Sequence, residues 1–275
     1  MVVDEGPTIE PGRRSLRRWG PLICAVACVV MALSSLLAPW YAISSNLDNW
    51  HPVNSTFSIH STTTFFPGTE YRFLCHVNPA NTYAWGPICA ATQLTPGGAL
   101  QPYVGFPTIS YPPPPSAVGA LYSLTWLLSL LTFGAGTLAL TTLIVLFRRQ
   151  YHDWRAAFAP AIVFAVAGSL AVGLCLGVAV YQPSAVAHDV GPGLLDGGTS
   201  GPEGSFWGSC GPVPSTCGSL PAGNATLNDT WGPSYGWYLE LAAGGLFLAI
   251  ALTEFRRAIR LQRTRRPPLA PPSKP

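Results

Sequence analysis

The chain has 275 residues, 48% of them hydrophobic and only 10% charged. Soluble globular domains carry about 25% charged residues, so the composition excludes an ordinary cytosolic enzyme. The mean hydropathy of +0.30 averages long apolar runs with long polar ones, and the net charge of +3 takes its meaning from where the cations stand.

In chain order, residues 1–20 form a basic leader carrying Arg13, Arg14, Arg17 and Arg18. An apolar run over 21–41 follows, long enough to cross a hydrocarbon core of about 30 Å, which takes roughly 20 helical residues. It exceeds the usual signal-peptide core of about 7–15 residues, and Ala38-Pro39-Trp40 is a poor cleavage site, so it reads as an uncleaved transmembrane helix.

Residues 42–118 form a first polar loop with strand character. Phe57, Ile59, Thr63 and Phe65 alternate with polar residues, Pro67-Gly68 offers a turn, and Tyr71, Phe73, Cys75 and Val77 alternate again. That pattern predicts an antiparallel hairpin. The run Pro112–Pro115 predicts a stiff, polyproline-like spacer into the second span.

The second span covers 119–147, a short basic connection 148–156, and the third span 157–181. A second loop, 182–236, draws 19 of residues 183–236 from Gly and Pro, above the roughly 25–30% that marks low-complexity chain. It predicts irregular structure. The fourth span covers 237–255, with Glu240 one turn inside its aromatic edge, where the carboxylate can reach the interface. A basic, Pro-rich tail, 256–275, closes the chain.

Fourteen of the fifteen Lys and Arg flank the spans on one side, and only Arg72 lies on the other. Cations accumulate on the cytoplasmic side of a membrane, which places both termini inside and both loops outside. Trp40, Tyr41, Tyr122, Trp126, Tyr181, Trp237 and Tyr238 gather at the outer boundaries, where aromatic rings favour the headgroup layer. The expected fold class is an all-α membrane protein in the cell membrane. It is a four-helix transmembrane bundle with a small disulfide-stapled hairpin in the first outer loop and an irregular second loop.

In the third span Ala157, Ala161, Ala165, Ser169, Gly173 and Gly177 recur every four residues. Such a stripe lets another backbone approach closely, and packing within one bundle explains it more simply than a dimer interface. Cys24, Cys28 and Cys175 lie at membrane depth and read as small apolar residues. Cys75 with Cys89 and Cys210 with Cys217 make one pair per outer loop. An oxidising compartment makes them structural disulfides, with local pairing favoured and cross-loop pairing left open. Asn54, Asn224 and Asn228 open N-x-Ser/Thr sequons and are glycosylation candidates.

No catalytic, cofactor or metal site emerges. Gly232-Pro233-Ser234-Tyr235-Gly236 matches the nucleophile elbow of hydrolases, but no His follows His188, and that chemistry needs one after the serine. His51, His60, His76 and His188 lack tight ligand spacing. In outline the chain resembles claudin-like proteins, with four spans, inner termini and one cysteine pair in a β-containing first loop. It lacks their Gly-Leu-Trp motif ahead of the first loop cysteine, and Trp85 lies between Cys75 and Cys89 instead.

The expected function is that of a non-enzymatic multi-pass protein, without cofactors, whose outer loops mediate recognition or assembly. Its partners are the lipid bilayer and a like copy or another membrane or envelope protein; nucleic acid is not among them. The alternative is an oligomeric channel, with Ser and Thr of the second span as lining, or an accessory subunit of a membrane transport or enzyme complex.

Overall fold

The computed structural model describes residues 11–50, 57–68, 70–78, 108–110, 117–149, 154–190, 205–210 and 226–264. Among the described residues ten elements are formed, in the order α1 (Pro11–Leu37), β1 (Tyr41–Trp50), β2 (Phe57–Phe65), β3 (Glu70–Asn78), β4 (Thr108–Ser110), α2 (Ala117–Arg149), α3 (Trp154–Val190), β5 (Gly208–Cys210), β6 (Thr226–Pro233) and α4 (Tyr235–Thr264). Each of the four helices is long and apolar enough to cross a membrane. The protein is mostly helical, a multi-pass membrane protein with the makings of a four-helix bundle.

The helix ends follow from local chemistry. α1 stops at Leu37 because Pro39 lacks an N–H and drives Ala38 out of the helical region. Trp40 and Tyr41, expected to finish the first span, therefore leave the helix, and Tyr41 opens a strand. α3 continues past Tyr181 to Val190, carried by the Ala185-Val186-Ala187 run, and α4 continues through the basic residues to Thr264.

The chain forms two compact units. One contains Met1–Leu33, Leu130–Gly173 and Glu240–Pro275. Its core draws on all four helices: Ala25, Cys28 and Ala32 of α1, Ala139 and Leu143 of α2, Phe164 and Ala167 of α3, and Ala243, Phe247 and Ile250 of α4. Small residues let the helices close. A Cβ on Gly168 would sit 2.8 Å from the Gly244 carbonyl oxygen, and one on Gly244 would sit 2.8 Å from the Ala171 Cβ. The rings of Phe164 and Phe247 stack at 5.8 Å in the same core.

The other unit contains Ser34–Ser129 and Leu174–Leu239, and here the expectation needs correction. The β2–β3 hairpin forms as read, Phe65 opposite Tyr71 across the turn, with Gly68 at φ 110°, a conformation side-chain-bearing residues avoid. It is the middle of a six-stranded antiparallel sheet in the order β4-β3-β2-β1-β6-β5. The second loop, expected to be irregular, supplies β5 and β6. β6 pairs with β1 from Tyr41 opposite Pro233 to Asp48 opposite Thr226. The all-α description thus fits the spans and not the sheet. Turn-forming residues in 183–225 dominate the loop's average composition, which hid the Thr-Leu-Asn-Asp-Thr-Trp strand at its end.

Candidate recognition surface

The sheet is seated on the helix ends by backbone bonds around Trp40. The Trp40 N–H donates to the Phe65 carbonyl at 2.8 Å, the Ser234 N–H to the Trp40 carbonyl at 2.9 Å, and the Gly236 N–H to the Pro39 carbonyl at 2.8 Å. The Trp40 indole donates to the Ser35 carbonyl at 2.9 Å. On the hairpin side, the Gly68 N–H donates to the Tyr122 carbonyl at 2.9 Å. These bonds hold the first and last residues of the strands against α1, α2 and α4.

A chain of rings fills the space beneath. Tyr122 stacks on Phe65 at 5.7 Å, Phe65 meets Tyr41 at 5.9 Å, Tyr41 meets Phe206 at 5.3 Å, and Phe206 meets Trp237 at 5.8 Å. Trp40, Tyr41 and Tyr122 are fully buried and Trp237 nearly so. These four were expected in the headgroup layer; they are instead a core, because the sheet covers them. Trp126, Tyr181 and Tyr238 remain exposed. The Trp237 indole donates to the Cys175 carbonyl at 3.0 Å, and the Cys175 thiol returns a bond of 3.6 Å to the Trp237 carbonyl.

Some polar atoms of this unit are buried without partners among the described residues. The Tyr41 hydroxyl and both side-chain polar atoms of Gln182 are buried with no hydrogen bond among the described residues. Burial pushes the Tyr41 hydroxyl well above the ordinary tyrosine pKa, so it stays protonated. Nothing in the sequence marks Gln182, which the apolar pattern places just past the third span. Glu240, expected to reach the interface, is likewise fully buried.

Alternation gives the sheet two unlike faces. Tyr41 and Ile43 share one with Thr63, Phe65 and Trp231, and this face meets the aromatic core. Ala42, Ser44 and Asn46 share the other with Thr62, Thr64, Asn228 and Thr230 in the registers Ala42–Thr64, Ser44–Thr62, Ser44–Thr230 and Asn46–Asn228. Ser44 and Thr62 hydroxyls bond at 2.9 Å across β1 and β2. Thr230 is exposed and the other six partly so. The result is a row of hydroxyl and amide groups drawn from both of the long segments between helices.

The nucleophile-like motif has a structural explanation. It does follow a strand, and Ser234 caps α4, its carbonyl accepting from the Trp237 N–H at 3.1 Å. A Cβ on Gly232 would sit 3.3 Å from the Trp207 Cβ, and one on Gly236 would run into the Trp40 ring. Gly236 is thus the seat of the Trp40 indole, and Gly232 lets the Trp207 backbone and Cβ approach.

Among the described residues Cys24, Cys28 and Cys175 are free thiols, and no disulfide occurs. Cys89 and Cys217 lie outside the described residues, as do Asn54, Asn224, the Pro112–Pro115 spacer and the tail beyond Thr264. Cys75 and Cys210 fall in one register row, through Ser61, Ser45 and Asp229. Four strand spacings of about 4.8 Å separate them by roughly 19 Å, far beyond the roughly 7 Å Cα limit of a disulfide. A direct Cys75–Cys210 bridge is therefore excluded. Asn228 sits in β6 opposite Asn46.

Of the small-residue stripe, Ala161 is buried and Ala165 and Gly177 are partly so, while Ser169 and Gly173 are exposed. A close approach of α3 and α4 uses Gly168 and Gly244 instead. In α2, Ser129 and Thr132 are fully buried, and Thr125, Thr137, Thr141 and Thr142 donate to carbonyls four residues back. No group of three or more His, Cys, Asp or Glu able to hold a metal ion occurs among the described residues. No known protein family and no curated protein matches the chain.

Proposed function

We propose that this chain is a non-enzymatic membrane protein whose outer sheet serves recognition or assembly, with both termini in the cytoplasm. The orientation rests on the cation bias, since fourteen of fifteen Lys and Arg flank the spans on the side of the termini. The observation that carries the functional reading is the β1–β6 pairing. It joins both outer segments into one preorganised platform, and preorganisation lowers the entropic cost of binding.

The row of Ser44, Thr62, Asn46, Asn228 and Thr230 offers hydroxyl and amide groups suited to a glycan, a like copy or a polar face of another envelope protein. Disulfides within each outer segment, Cys75 with Cys89 and Cys210 with Cys217, would brace the platform at its two sides.

The test is a Thr62→Glu/Thr230→Glu double variant, purified in mild detergent from native membranes beside the wild type and compared by native mass spectrometry. Loss of a partner or of self-association, at unchanged thermal stability, is the expected result. Retention of every partner and of the oligomeric state would sink the proposal.

A further inference from the structure

A groove of about 630 Å³ opens on the unit that holds the inner parts of the helices. Small side chains line it, Ala161, Ala165 and Ser169 of α3 and Ala251 of α4, beside the exposed Ile162 and Leu252. At the end nearer the termini, Phe255 lines it, and Phe158 meets Phe255 edge-on at 5.0 Å. This explains the small-residue stripe: Ala161, Ala165 and Ser169 keep the groove deep, whereas Gly168 and Gly244 bring α3 and α4 together.

Charge beyond Phe255 is one-sided. Helical periodicity of 3.6 residues carries the groove-lining face of α4 on past Ile259, with Arg256 and Arg263 flanking it. Both are exposed, and no ion pair holds either among the described residues. Arg257 lies on the opposite face, 3.5 Å from the Glu254 carboxylate, so its charge is locally offset.

We infer that this groove is a binding site for an anionic phospholipid of the leaflet facing the termini, one acyl chain lying over Ala161, Ala165 and Ala251 and the phosphate meeting Arg256 and Arg263. Charge complementarity selects this occupant over a second copy. Two copies inserted in the same orientation would bring both sets of Arg256 and Arg263 to one membrane depth, where like charges repel. A phosphate neutralises them, and arginine presents a planar fork suited to phosphate oxygens.

The test uses the full chain, delipidated in mild detergent and titrated with phosphatidylglycerol or phosphatidylcholine, bound lipid being counted by native mass spectrometry. The expected result is one phosphatidylglycerol held roughly tenfold more strongly than phosphatidylcholine. Arg256→Gln/Arg263→Gln, at exposed positions that folding tolerates, should bring the two lipids within about twofold of each other. Ala165→Phe, which fills the groove, should lower retention of both. Equal retention of the two lipids by the wild type would overturn the inference, as would an undiminished preference in the arginine variant. A dimer that Ala165→Phe converts to monomer with lipid retention unchanged would assign the groove to a second copy and overturn it too.

Discussion

Trp40 and Gly236 show how closely single residues are matched here. The indole occupies the space a Gly236 side chain would need, since a Cβ there would lie 2.8 Å from the Ala38 carbonyl oxygen as well as against the ring. Gly236→Ala should therefore cost about 1–3 kcal/mol, the usual range for overpacking, seen as a fall in the thermal midpoint in detergent. Tyr41 predicts the opposite behaviour. Its buried hydroxyl has no partner among the described residues, and removing a polar group that makes no bond relieves a desolvation cost of about 1–3 kcal/mol. Tyr41→Phe should leave the midpoint unchanged or raise it; a clear fall would show that the hydroxyl holds a bond in the folded protein. Neither outcome could be foreseen from sequence, where Trp40 and Tyr41 look like ordinary interface residues at the end of an apolar run.

Among the elements, β1 is a central strand that joins the two long segments, pairing with β2 on one side and β6 on the other. Ile43→Pro removes a ladder donor from this central strand and should cost about 3 kcal/mol or more, whereas Ile109→Pro in the three-residue edge strand β4 should cost much less. Hydrogen exchange followed by mass spectrometry would check this, with β2 and β6 both losing protection in the Ile43 variant. The sheet also constrains the cysteines. Peptide mapping without reductant should yield no fragment joining Cys75 to Cys210, given their separation by four strand spacings. The β2–β3 hairpin was legible because alternation and a Pro-Gly turn are local signals. β1 was not, because Ala42-Ile43-Ser44-Ser45-Asn46 shows no clear apolar–polar alternation, and the apolar Trp40 and Tyr41 beyond Pro39 read as the end of the span.

At the scale of the whole molecule, the cation bias predicts that reporter domains fused after Pro275 and inserted at 197–201 will report opposite sides of the membrane; the same side for both would reverse the orientation argument. The number of spans was readable from sequence because about twenty consecutive apolar residues are a requirement of the bilayer itself, independent of any neighbour. So was the hairpin, whose alternation and turn are contained in some twenty residues. The partnership of β1 with β6 was decided only in three dimensions, since it joins segments about 190 residues apart in a 275-residue chain and no local pattern encodes a distant register. The same holds for the aromatic core, whose rings look amphipathic until a sheet covers them, and for the groove, since four-residue spacing identifies a smooth helix face without saying what lies against it. Length, span count and charge asymmetry are properties of the chain; which faces meet is a property of packing, and only the tertiary structure decides it.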